Sequence, residues 1–143
     1  MTTIAYRDGV IAADTRVTSD SIITGSVRKV SKNGRVLMGV AGTAAMAREL
    51  RAWFDEGCQG PLPPNPHPLD KEWSVWALIA TPTDVYIVQE SGICRNTAPY
   101  HAMGSGRELA LGAMAHGATA EEAVRAAIKH DTSSGGEITV LRH

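Results

Sequence analysis

The chain has 143 residues, of which 43% are hydrophobic and 20% charged, and its net charge is −1. These are the values of one ordinary globular domain, expected to span residues 1–143 and large enough to bury roughly 68–70% of its unfolded surface. No run of like charge points to nucleic acid or an anionic membrane, no apolar run approaches the ~18–20 residues of a membrane span, and the start of the chain lacks a signal-peptide pattern.

In chain order, Thr2 to Tyr6 and Val10 to Ala13 flank Arg7-Asp8-Gly9. Asp-Gly between two apolar runs is a strong hairpin signal, because both residues tolerate positive φ. Ala13-Asp14-Thr15-Arg16 then places charge directly after a buried strand. Residues 15–30 are polar and Ser/Thr-rich, with Ser26 to Val30 predicted as a short strand. Arg35 to Ala41 is nearly continuous apolar, as expected of a strand covered on both faces. Gly42-Thr43 opens a helix on which Met46, Leu50, Trp53 and Phe54 recur at helical spacing until Gly57.

Gly60 to Asp70 carries Pro61, Pro63, Pro64, Pro66 and Pro68, which excludes helix and central strand and predicts a stiff loop. Ser74 to Ala80 and Asp84 to Gln89 form a predicted hairpin about Thr81-Pro82-Thr83, with further strands near Cys94 and Tyr100 to Met103. Ser105-Gly106-Arg107-Glu108 has the form of a capping box ahead of a helix carrying Leu109, Leu111, Ala113 and Met114. Thr119-Ala120-Glu121-Glu122 is a second capping box, and its helix is expected to bury Ala123, Val124, Ala127 and Ile128. Ile138 to Leu141 is the last strand. Several strands, a helix, several strands, two helices and a strand do not make alternating βαβ units. Two strands apolar throughout call for sheets covered on both faces, so the expected class is α+β, a four-layer αββα sandwich.

The start of the chain carries a possible chemistry of its own. Removal of Met1 would leave Thr2 with a free α-amine and a β-hydroxyl, a nucleophile with its own base. The reference pKa of an α-amine, about 7.7–8.0, suits proton transfer near neutral pH. A retained Met1 would acylate that base and block the nucleophile.

Six segments occur in an order that resembles a known family: Thr2-Thr3-Ile4; Ala13-Asp14-Thr15-Arg16-Val17-Thr18; Lys29-Val30; Val40-Ala41-Gly42-Thr43-Ala44-Ala45; Gly104-Ser105-Gly106; and Asp131-Thr132-Ser133-Ser134-Gly135-Gly136. Together they resemble a proteasome β-subunit and its bacterial relative HslV (ClpQ), in which the threonine also directly follows the initiator methionine. At the last segment the chain looks more like the β-subunit than HslV.

The resemblance implies a fold of the N-terminal-nucleophile hydrolase type and assigns roles residue by residue. Thr2 would be the nucleophile. Lys29 would favour the deprotonated amine and hydroxyl, with Asp14 pairing to hold it charged and oriented. The Gly42 N–H would hold the oxyanion. Ser105, Asp131 and Ser134 would orient the terminal amine. Thr18 would pair with an extended peptide through its backbone, while Val27, Val40 and Ala44 would line a small apolar pocket for the residue before the scissile bond.

Each segment also has a plainer reading. Asp14 and Lys29 alone would pass for a surface ion pair, Ser105 for a helix cap, and Ser133 to Gly136 for a helix-exit loop. Gly104-Ser105-Gly106 lacks the lysine of a phosphate-binding loop. Trp53, Trp73 and Trp76 fit core or interface. Cys58 and Cys94 lack disulfide or metal spacing, so a cytoplasmic, reducing compartment is expected. The five histidines are scattered, and neither metal nor cofactor is expected.

The chain departs from the family where a second helix usually follows the one ending near Gly57. The proline loop stands there instead, so one outer helical layer should be reduced. In the family that layer helps meet neighbouring rings or an ATPase unfoldase, the partner the resemblance implies. The resulting expectation is a threonine-type endopeptidase in a closed homo-oligomeric ring, acting on peptide or unfolded protein. The alternatives are an N-terminal-nucleophile amidase on a small amide, motivated by the missing helix, and a non-catalytic assembly subunit retaining Met1.

Overall fold

Asp8 (φ 51°) and Gly9 (φ 77°) turn the chain between β1 (Thr3–Arg7) and β2 (Val10–Ala13), which pair antiparallel as the Asp-Gly signal predicts. The protein is described here from a computed structural model covering residues 2–64, 75–89 and 91–143. The remainder of the proline loop (65–70), the start of the predicted strand at Ser74, and Met1 and Trp73 lie outside the described residues.

The polar stretch after β2 holds an element that its composition hides. Arg16–Ser19 (β3) and Ile22–Ser26 (β4) form a separate two-stranded antiparallel ribbon, turned at Asp20 (φ 48°) and Ser21 (φ 69°). The strand expected over Ser26 to Val30 is therefore displaced: β4 ends at Ser26 and β5 (Val30–Asn33) begins four residues later. Every residue of β4 is exposed, so no core-facing alternation marks it in the sequence.

β6 (Val36–Gly42) is the expected buried strand. It pairs with β5 and with β7 (Val75–Ala80) in an antiparallel sheet that continues through β8 (Val85–Gln89) to β9 (Gly92–Asn96). α1 (Ala44–Asp55) follows directly and buries Met46, Leu50, Trp53 and Phe54, as the spacing predicts. Thr43 stands at its N-cap, but its hydroxyl makes no capping bond. Gly57 (φ 86°) lies just beyond the helix end.

β10 (Tyr100–Gly104) completes a second sheet of order β10-β1-β2-β11, with β11 spanning Thr139–Arg142. α2 (Arg107–Ala115) and α3 (Ala120–Ile128) pack over that sheet. Thr119 caps α3 as expected, accepting from Glu122 N–H at 3.2 Å. In α2 the expectation is corrected. Its cap position is Gly106 with no side-chain bond, Ala110 and Met114 are buried, and Leu109 is exposed.

Three clusters order the packing. Ile4, Ile11, Leu37, Leu78 and Met103 meet between the two larger sheets. Met38, Val40, Leu50 and Phe54 pack the other face of the β5–β9 sheet against α1. Ala5, Ala12, Met114 and Val124 join the β1–β2 face to α2 and α3. The sheets approach closely at Gly39, where a Cβ would lie 2.8 Å from Ile4 Cγ2. The architecture is α+β, with antiparallel sheets and three helices among the described residues.

Candidate active site

The start of β1 lies against two loops that the sequence holds far apart, one before α2 and one after α3. Gly104 and Gly106 explain the first contact. Gly104 has φ 95°, and a Cβ on it would collide with the Thr2 carbonyl. A Cβ on Gly106 would collide with Thr3 Oγ1. The Gly-Ser-Gly segment thus reads as close backbone approach, with only Ser105 presenting a side chain.

Ser105 is no helix cap. Its Oγ accepts from Thr2 N–H at 3.2 Å and donates to Asp131 Oδ2 at 2.7 Å. Ser134 donates to the same Oδ2 at 2.5 Å, and the Ser133 N–H meets Oδ1 at 3.2 Å. Burial would raise the Asp131 pKa, but these hydrogen bonds outweigh it and hold the carboxyl below its ordinary value. The chain of bonds runs on to Thr3, whose Oγ1 lies 2.7 Å from Ser134 Oγ. With the Ser134 proton committed to Asp131, Thr3 is the donor.

On the other side lies a buried ion pair, not the surface pair that Asp14 and Lys29 alone could have been. Lys29 Nζ is 2.9 Å from Asp14 Oδ1, with the two side chains 6% and 0% exposed. Isolated charges would be costly there, so the remaining polar atoms matter. Asp14 Oδ1 also accepts Thr3 N–H at 3.0 Å, and Oδ2 accepts Gly135 N–H at 2.9 Å. Lys29 also donates to the Arg16 carbonyl at 2.7 Å. Burial lowers the Lys29 pKa, opposed by the hydrogen bond to Asp14 and its charge. Local folding positions the lysine: Val40 N–H bonds the Lys29 carbonyl, and Arg51 of α1 bonds the carbonyl of Arg28.

Three residues missing from the sequence-derived set stand in this network. Thr3 links both halves, through its N–H to Asp14 and its hydroxyl to Ser134. Arg16 donates to the carbonyls of Thr132 and Ser134, and its guanidinium lies across Gly135 where a Cβ would collide with it. Polarity at Thr3 within an otherwise apolar buried strand was the available signal, as was the charge at Arg16 directly after β2. Nothing in the sequence marked Gly135 beyond its place in the last segment.

Gly42, at the exposed end of β6, has φ 136°, a value that favours glycine. It lines, with Thr2 and Ser105, one cleft of about 1000 Å³ whose walls include Trp76, Met103 and Leu111. Thr18, Val27, Val40 and Ala44 do not line it. Thr18 is half-buried at the bulge in β3, Val27 follows β4 and is 45% exposed, Val40 packs under α1, and Ala44 is exposed at the start of α1. Among the described residues, no group of three or more His, Cys, Asp or Glu side chains could hold a metal ion, and no helix is long and apolar enough to cross a membrane.

No protein-family model and no curated protein sequence matches the chain. Solved structures do. BPH of Thiobacillus denitrificans, in complex with epoxomicin, is similar at a TM-score of 0.70 and 21% identity, over 98% of this chain and 96% of that one. A second structure of Thiobacillus denitrificans BPH gives the same TM-score and identity over 98% of this chain and 95% of that one. HslV of Trypanosoma brucei is similar at a TM-score of 0.67 and 21% identity, over 99% of each chain. The likeness is one of fold: over nearly its whole length this chain is folded as BPH and HslV are.

Proposed function

We propose that this chain is a threonine-type endopeptidase of the proteasome β-subunit and HslV kind, with Thr2 as its nucleophile once Met1 is removed. The observation that carries this reading is the double tether at the start of β1. The Thr2 nitrogen bonds Ser105, which bonds Asp131, while the buried Asp14–Lys29 pair holds the adjacent Thr3 N–H. With Met1 attached this nitrogen is a peptide amide, and removal of Met1 turns the same atom into an α-amine beside Ser105 and Asp131.

In the reaction, the Thr2 α-amine takes the hydroxyl proton as Oγ attacks the peptide carbonyl. Lys29 lowers the cost of that deprotonation, and Asp14 keeps the ammonium in place. The Gly42 N–H holds the oxyanion, an interaction of a kind worth about 10²–10³ in rate. The amine passes its proton to the leaving nitrogen as the C–N bond breaks, and water then hydrolyses the ester. Ser105, Asp131 and Ser134 orient the amine. Thr18 aligns the peptide, and Val27, Val40 and Ala44 form the pocket before the scissile bond.

The domain spans residues 1–143 in a four-layer αββα arrangement whose outer layer on one side is reduced to α1. It assembles as a homo-oligomeric ring in the cytoplasm, with an ATPase unfoldase as partner and peptide or unfolded protein as substrate. The fold shared with HslV supports this assembly.

The test is the intact mass of the native protein followed by treatment with epoxomicin, which the structural neighbour BPH binds. Loss of one methionine, a covalent adduct on the Thr2 peptide, and loss of peptide hydrolysis in Thr2→Ala are expected. Unchanged hydrolysis in Thr2→Ala would refute the reading. A second reading is an N-terminal-nucleophile amidase on a small amide, motivated by the proline-rich stretch that stands where the family has a second helix. Monomers or dimers in light scattering, with faster turnover of small amides than of peptides, would select it.

A further inference from the structure

We propose that the cleft on the β10 side of Thr2 receives the leaving half of the substrate and selects a large apolar or aromatic residue directly after the bond that is cut. The proposal rests on the reading of Thr2 as nucleophile.

The cleft begins at the site itself, because Thr2, Gly42 and Ser105 form part of its wall. It does not include Thr18, Val27, Val40 or Ala44, the residues assigned to the acyl half of the substrate, and it meets that side only through Ala41, Gly42 and Thr43. With that half along β3 and β4, the chain beyond the scissile bond continues past Thr2 toward β10 and the start of α2. The cleft lies there.

Its chemistry fixes the class of residue. Its large apolar side chains are Trp76, Ile87, Tyr100, Met103 and Leu111, drawn from β7, β8, β10 and α2. Among the described residues no carboxylate lines it and Arg107 does, so a lysine or arginine after the cut would lose its solvation beside a like charge. Trp76 is 52% exposed although its strand neighbours are buried, which leaves one face of an indole open to stacking. A volume of about 1000 Å³ lies at the upper end of the range for ligand sites, roughly 300–1,000 Å³, and far exceeds one small side chain.

Thr43, Asn96, Arg107 and His101 add polar groups to this mainly apolar wall. His101 is 5% exposed, and its Nε2 is buried without a hydrogen-bond partner. Such a group costs free energy until something bonds it. A backbone amide of the leaving segment, entering beside Met103, is the group the substrate would bring.

Two measurements test this and separate it from the peptidase reading. In the first, methionine-processed Thr2→Ala protein is titrated calorimetrically with short peptides beginning with Phe, Leu, Gly or Asp, as mimics of the leaving half. The Phe and Leu peptides are expected to bind at least tenfold more tightly, and Trp76→Ala or Leu111→Ser in the same background should shrink that preference to about twofold. In the second, wild-type protein cleaves quenched peptides that share one acyl half and differ only in the residue after the cut. kcat/KM should follow the same order.

Equal binding and equal cleavage across the four residues would overturn the proposal. Thr2-dependent cleavage without preference would also overturn it while leaving the peptidase reading standing. A binding preference with no Thr2-dependent cleavage would support the apolar cleft and refute the peptidase. A preference that appears only when the assembly is dissociated would show that a second copy of this chain covers the cleft, and would overturn the proposal.

Discussion

Thr3 Oγ1 and Ser134 Oγ lie 2.7 Å apart, both side chains fully buried, although 131 positions separate them in the chain. Thr3 is also the residue whose N–H bonds Asp14, so a single strand position joins the ion pair to the Asp131 relay. Thr3→Val keeps the shape and removes the hydroxyl. It should cost about 0.5–1.5 kcal/mol in urea unfolding, the usual worth of one hydrogen bond. Peptide hydrolysis should slow more than Tm loss alone accounts for, because Ser134 loses its fixed position beside Asp131. Thr3→Ser should recover most of that rate.

The buried pair of Lys29 and Asp14 predicts a non-additive response. Lys29→Met leaves a carboxylate uncompensated in the core, and Asp14→Asn leaves an ammonium, each expected to destabilise by about 3–5 kcal/mol. The double variant should cost less than the sum, since neither charge is then stranded. Chemical denaturation of the three variants measures this directly. Strict additivity would mean that the two groups do not interact energetically.

Glycines in and around α2 should respond in opposite directions. Gly104→Ala and Gly106→Ala each drive a Cβ into the first residues of β1, so loss of stability and of activity is expected in both. Gly112, inside α2, has open space around its missing Cβ. Gly112→Ala should stabilise by about 0.5–1 kcal/mol through its higher helix propensity. Thermal melts of the three variants separate a steric requirement from a composition effect.

The relay at Asp131 has a pH signature. Its carboxyl is held below the ordinary value of 3.8, so the folded state binds that proton less readily than the unfolded state. The stability it confers is therefore complete above that ordinary value and is lost as pH falls through the lower folded value. Asp131→Asn should flatten Tm against pH in that acid window and leave the slope above about pH 5 unaltered. Ser105→Ala removes one of the bonds that depress the value and should move the loss to higher pH.

Much of the fold is legible along the chain, for reasons local to each element. Asp8-Gly9 declares its hairpin because the turn demands positive φ. Met46, Leu50, Trp53 and Phe54 declare α1 because one helical face must be apolar. The β3–β4 ribbon is not legible in this way. Its β4 residues are exposed, and Asp20-Ser21 is a weaker turn signal than Asp-Gly. Ser105 shows the reverse error. Its sequence has every mark of a capping box, but a better acceptor at Asp131, 26 positions on, takes its hydroxyl.

By itself the sequence determined the element types wherever periodicity or turn chemistry acts over a few residues, and it determined which polar residues were candidates for the site. The family resemblance already grouped Asp14 with Lys29, and Asp131 with Ser105 and Ser134, but the contacts that lock each group appear in the tertiary structure. Asp14 joins Lys29, Thr3 and Gly135, and Asp131 joins Ser105 and Ser134. Thr3, Arg16, Gly104 and Gly106 gain their meaning only there, as does the apolar cleft beside Thr2. The physical reason is that hydrogen bonds, steric fit and charge burial depend on distances in space, and no pattern along the chain encodes a contact between residues more than a hundred positions apart.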